Sequence, residues 1–218
     1  MGKRLIITAL ILLYVTVVFG GASLKADYSH IGQYISELNA TGSEWSWHIG
    51  YLGFLPLGLL GLFMLVTVAR ITQLTGIGLM GMWLLSGEPI AYLGSAFAPC
   101  DLGCPSTGSI SQNVHNLLSV FTLLMTTLGL VLLSLNKNLA PHRRAGWVLL
   151  AAVFITLYML ALAPDFDPWR GLLQRLAEGI LYGSLCLVSW RLLAASSEEQ
   201  YHELGGATAD WEGHGSPP

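Results

Sequence analysis

The chain has 218 residues, of which 53% are hydrophobic and 11% charged, with a mean hydropathy of +0.60. Soluble domains carry about 25% charged residues, so this deficit excludes an ordinary soluble globular protein. The net charge is −3 and no basic stripe is present, which excludes nucleic acid as a partner.

Apolar runs cover 5–21, 47–69, 74–98, 114–135, 145–163 and 171–194. Each approaches the roughly 20 residues needed to cross a hydrocarbon core. A spanning segment must satisfy its own backbone groups, and the alternation of a β-barrel strand is absent, so the runs predict helices. The fold class is all-α, an integral membrane bundle of about six transmembrane helices in one domain, 1–195. The first run also resembles a signal peptide, with basic residues before it and Gly20-Gly21-Ala22 after it. A retained helix fits the charge layout better, because it keeps the number of spans even.

Lys3, Arg4, Arg70, Lys137, Arg143, Arg144 and Arg191 fall on one side of this layout, and Lys25, Arg170 and Arg175 on or near the other. The excess places both termini in the cytoplasm and turns 22–46, 99–113 and 164–170 outward. Trp45, Trp47, Tyr51 and Trp169 lie where an interfacial belt would run. Residues 196–218 are acidic and rich in Gly and Pro, and are expected to form a disordered cytoplasmic tail.

The outward links hold most of the chemistry-bearing residues. The first contains His30, Ser36 and Glu37, and His48 opens the next run. In the third run, Ser86-Gly87-Glu88-Pro89 predicts a broken helix, because Pro89 removes a backbone bond and Gly87 loosens the turn. Glu88 then stands as a carboxylate at membrane depth, either as an ion or proton site or as part of a structural kink. The second link reads Cys100-Asp101-Leu102-Gly103-Cys104. In an oxidising compartment this pair reads first as a disulfide that fixes Asp101 above the bundle, with a redox or metal pair as the alternative.

His115 opens the fourth run, with Ser119 one turn further on the same face. Asp165 and Asp167 in the last link read as boundary residues. Arg175 and Glu178, three residues apart, share a helix face, where they can neutralise one another or hold Arg175 ready for an anionic headgroup. No H-E-x-x-H or comparable spacing is present, so no metal set is assigned, and the residues name no cofactor.

The stretch Tyr28-Ser29-His30, followed by Tyr34-Ile35-Ser36-Glu37-Leu38, resembles the signature of a prokaryotic family of multi-pass membrane proteins, domain of unknown function 998. Gly32 stands where Ser is common and Asn39 where Gly is common, which leaves the charged positions intact. The resemblance implies about six helices in a bacterial or archaeal plasma (inner) membrane. It supplies no activity. Three functions follow from the residues. The first is a membrane enzyme acting on a lipid or lipid-linked substrate, with Glu37, Asp101, His115 and His30 catalytic and Arg175, Glu178 and Ser36 binding substrate. The second is a non-catalytic accessory subunit docking a membrane protein partner, and the third a small proton-coupled carrier using Glu88. The lipid bilayer is a partner in every case.

Overall fold

The computed structural model describes residues 5–72, 74–137 and 139–191, so the expected tail, 196–218, lies outside the described residues. In chain order the helices are α1 (Leu5–Ser23), α2 (Ser46–Thr72), α3 (Gly76–Leu84), α4 (Gly87–Phe97), α5 (Ile110–Ser134), α6 (Pro141–Leu162) and α7 (Arg170–Glu212). Of these, α7 is described as far as Arg191. No strand occurs among the described residues. Four helices, α1, α2, α5 and α6, are long and apolar enough to cross a membrane.

The third apolar run is broken, as its sequence predicts, into α3 and α4. Leu85 and Ser86 end α3 with tight bonds from their amides to Met82 O and Trp83 O, at 3.2 and 3.1 Å. Pro89 then sits in the first turn of α4, where a missing N–H costs nothing because that turn has no intrahelical acceptor. The Gly87 carbonyl takes a 3.1 Å bond from Thr122 Oγ1 of α5. On the other side α4 rests directly on α2. A Cβ at Gly58 would fall 2.6 Å from Pro89 O, so only glycine permits this approach.

The helices close into a ring. Neighbouring contacts run α1–α2–α4–α5–α6–α7, with α7 returning to both α1 and α2, and α3 packed on α5. The inward faces supply the core, including Leu10, Phe54, Leu57, Phe154 and Leu181, all nearly sealed from solvent. The outward faces carry Leu52, Phe63, Leu117 and Leu149, each more than half exposed. A water-soluble protein does not present such a girdle, and lipid is the medium that suits it.

The loops 24–45, 98–109 and 163–169 meet at one end of the ring and cap it. Tyr34 Oη donates to Ala161 O at 2.7 Å, Leu172 N to Ile31 O at 3.0 Å and Thr41 N to Cys100 O at 2.7 Å. The first loop lies flat on the start of α7 because Gly171 has no side chain. A Cβ there would lie 2.1 Å from Gln33 O.

Candidate functional site: an acid-lined cavity under a latched cap

The cap is organised by Arg170, at the first residue of α7. Its guanidinium donates to Glu37 Oε1 at 2.9 Å, Asp167 Oδ1 at 3.0 Å, Gly103 O at 3.1 Å and Gly32 O at 3.1 Å. It also lies 4.6 Å from the centroid of the Tyr34 ring. One side chain thus ties together all three loops. Glu37 is buried, and its remaining acceptor capacity goes to Tyr34 N at 3.0 Å and Gln33 Nε2 at 3.2 Å. The bond from Tyr34 N makes Glu37 cap the short 3-10 turn Ile35–Asn39. Lys25 braces the same turn, donating to Glu37 O at 2.7 Å and Ser43 Oγ at 2.9 Å. Burial pulls the Lys25 pKa down, partly offset by the charge of Glu37.

Cys100 and Cys104 form a disulfide, as expected, with their Cα atoms 5.1 Å apart. The turn inside it uses Gly103 at φ 81°, a left-handed conformation natural to glycine. Ser36 Oγ lies 3.3 Å from Cys104 Sγ, which joins the first loop to the bridge. Asp101 faces outward and accepts from Ser109 N at 2.8 Å and Ser109 Oγ at 2.7 Å, anchoring the residue that caps α5. Those two bonds hold its carboxyl below the usual Asp range.

His30 packs between Phe19 and Tyr28, with ring centroids at 5.3 and 5.6 Å. Its carbonyl accepts from Arg175 at 2.9 Å, and its Nδ1 is shielded without a hydrogen-bond partner. Desolvation, followed by the Arg175 charge, lowers its pKa. His48 is exposed between Trp45 and Trp47, a boundary position.

The expected pairing of Arg175 with Glu178 is not formed, and no ion pair joins them among the described residues. Arg175 instead reaches up to the cap. It donates to His30 O, Gln33 O at 2.8 Å and Gly171 O at 2.9 Å, and to the Tyr28 hydroxyl. Several loop carbonyls lie within reach of the guanidinium, and they outcompete a carboxylate that points into the ring.

That carboxylate lines a cavity of about 60 Å³, room for a few water molecules. Five helices and the cap form its wall. From α4 come Glu88, Ala91, Tyr92 and Ser95, one helical face. From α5 come His115, Ser119 and Thr122, again at helical spacing, and from α7 Gln174 and Glu178. Ile35 and Ser36 of the cap close the top, while Phe54 and Tyr158 complete the sides.

The two acids are held differently. Glu178 accepts from Tyr158 Oη at 3.1 Å, from Gln174 Nε2 at 2.8 Å and from Tyr92 Oη. Glu88 is equally buried, yet its Oε1 has no hydrogen-bond partner. His115 is fixed by a 3.2 Å contact from Nδ1 to Ala98 O. Ser119 Oγ donates to His115 O at 3.0 Å, so serine and imidazole do not form a nucleophile and base.

Of the residues expected to act together, His115 and Ser36 reach the cavity, and Glu178 and Glu88 lie at its depth. Glu37 and Asp101 are engaged in the cap, and His30 is held beside it. Sequence reasoning missed Tyr92, Tyr158 and Gln174 as partners of an acid. Spacing was an available signal only for Gln174, which precedes Glu178 by one turn; Tyr92 and Tyr158 reach Glu178 from other helices.

Fold and site together define a multi-pass helical membrane protein with a capped, acid-lined interior cavity. The chain belongs to the family described as protein of unknown function DUF998, whose model matches residues 7–191. No curated protein and no solved structure matches it.

Proposed function

We propose that the protein is a small proton-coupled carrier of a bacterial or archaeal plasma membrane, with Glu88 and Glu178 as its interior proton site. It crosses the membrane six times, α3 and α4 together making the third crossing and α7 the sixth. Both termini are cytoplasmic and the cap faces outward.

One observation carries this reading. Glu88 stands at the break of a membrane helix with an unpartnered carboxylate oxygen, on a cavity with room for a few waters that it shares with a second buried acid. Two buried carboxylates that face one small cavity need a counter-cation, and the proton is the smallest. Glu178 is held by three donors, whereas Glu88 is the member with freedom to exchange its proton. Broken helices that present a polar group at membrane depth are how many carriers build such sites.

The bonding of Glu37 and Asp101 leaves the outer-leaflet enzyme without a free acid–base pair in the cap.

The test is a proton jump applied to the purified protein in lipid on a solid-supported membrane. The wild type should give a transient current as protons enter the buried site. Glu88→Gln should abolish it and Glu178→Gln reduce it at least tenfold. Equal currents in all three proteins would sink the proposal. Turnover of a lipid by the same vesicles, unaffected by Glu88→Gln, would favour the enzyme instead.

A further inference from the structure

The cap holds a second constellation that the carrier reading does not use. One donor atom each from Cys100, Cys104 and His115 lie within 4.8 Å of one another. Cys100 and His115 are buried, and Cys104 is half-buried at the edge of the loop. Two sulfurs and an imidazole are the donor set that favours soft, closed-shell cations over calcium or magnesium. The two sulfurs are bonded to each other here, and zinc or copper bound at about 2.0 to 2.3 Å would hold the reduced thiolates and the imidazole roughly 3.5 Å apart, so after reduction the sulfurs separate and the imidazole closes in.

The imidazole is held in place by its Nδ1, 3.2 Å from the Ala98 carbonyl, and would offer Nε2 to a metal. A backbone carbonyl on the other ring nitrogen is the usual support of a metal-bound histidine.

We infer that Cys100, Cys104 and His115 form a soft-metal site that the disulfide closes and reduction opens. The ligand class is a d10 cation, with monovalent copper preferred because three donors suffice for it, while zinc would need a fourth. Ser36 Oγ stands beside the site, 3.3 Å from Cys104 Sγ.

The opening step balances with an external dithiol as reductant. Its thiolate attacks the more accessible sulfur, Cys104 Sγ, and the S–S bond breaks to release the Cys100 thiolate, which takes up a proton. The second thiol of the reductant then attacks the mixed disulfide and releases Cys104, leaving the reductant oxidised to its own disulfide. Binding of the metal displaces the protons from both cysteines. The inference does not depend on the carrier reading, since neither Glu88 nor Glu178 takes part.

The test uses the full-length protein in lipid nanodiscs, with copper(I) supplied from a coloured chelator that competes for it, and zinc(II) in a parallel titration. The dithiol-reduced wild type should withdraw one equivalent of metal and show thiolate-to-copper absorption in the ultraviolet. The oxidised wild type should withdraw none, a comparison that needs no variant. Cys100→Ser with Cys104→Ser should abolish binding, and His115→Gln, which keeps the disulfide, should weaken it at least tenfold. Equal binding by oxidised and reduced protein, or undiminished affinity in His115→Gln, would overturn the site.

Discussion

At the scale of single residues the cap depends on Arg170. Its guanidinium holds a buried carboxylate, a second acid and two carbonyls at once, and all of these lose their partner together if it is removed. Breaking one half of a buried ion pair costs about 3 kcal/mol or more, because the other charge is left desolvated. Arg170→Met should therefore lower the unfolding free energy in detergent by about 3 kcal/mol. Arg170→Lys should recover only part of this, since an ammonium cannot span the same set of acceptors. A melting profile unchanged by Arg170→Met would show that the latch contributes nothing. The adjacent arginine illustrates what a sequence leaves open. An i,i+3 spacing places Arg175 and Glu178 on one face, but it carries no information about the loop carbonyls that compete for the guanidinium.

At the scale of elements, the first loop is a lid whose pH response follows from His30. Burial and the Arg175 charge lower the pKa of His30 in the folded state. The unfolded chain therefore takes up this proton at a higher pH than the folded one. The contribution is fully present above the ordinary histidine value of 6.5 and is lost as pH falls through the lower folded value. Amide protection factors in residues 28–37, with the intrinsic pH dependence of exchange divided out, should fall on acidification below 6.5, and His30→Phe should flatten that dependence. A loss of protection that persists unchanged in His30→Phe would assign the response to another group.

Much of the element structure was legible beforehand. Run length marks α1, α2, α5 and α6, and Ser86-Gly87-Glu88-Pro89 marks the break between α3 and α4. The disulfide followed from the spacing of Cys100 and Cys104. What could not be read was the partner of each interior polar group. Glu88 and Glu178 lie far apart in the chain, and only the folded ring makes them face one cavity.

At the scale of the whole molecule, the polar residues divide by role. Those of the cap, Glu37, Asp101, Arg170 and Arg175, bond mainly to the loops and lock one end of the ring. Those of the interior, Glu88, Tyr92, Tyr158 and Glu178, surround a cavity and leave one carboxylate oxygen unmatched. From the sequence, the outer residues Glu37, Asp101, His115 and His30 are favoured as the acting set and Glu88 serves only a third alternative, because loop residues at helix ends are the visible polar cluster. Burial and hydrogen bonding separate them, since a satisfied carboxylate is part of the structure while an unsatisfied buried one calls for a ligand.

The central claim, that the acid pair holds a proton through Glu88, can be measured by infrared difference spectroscopy on the protein in a lipid bilayer at neutral pH. The wild type should show the carbonyl stretch of a protonated carboxylic acid, shifted by deuterium exchange and missing in Glu88→Gln. A wild-type spectrum containing carboxylate bands alone, indistinguishable in this region from Glu88→Gln, would contradict the account.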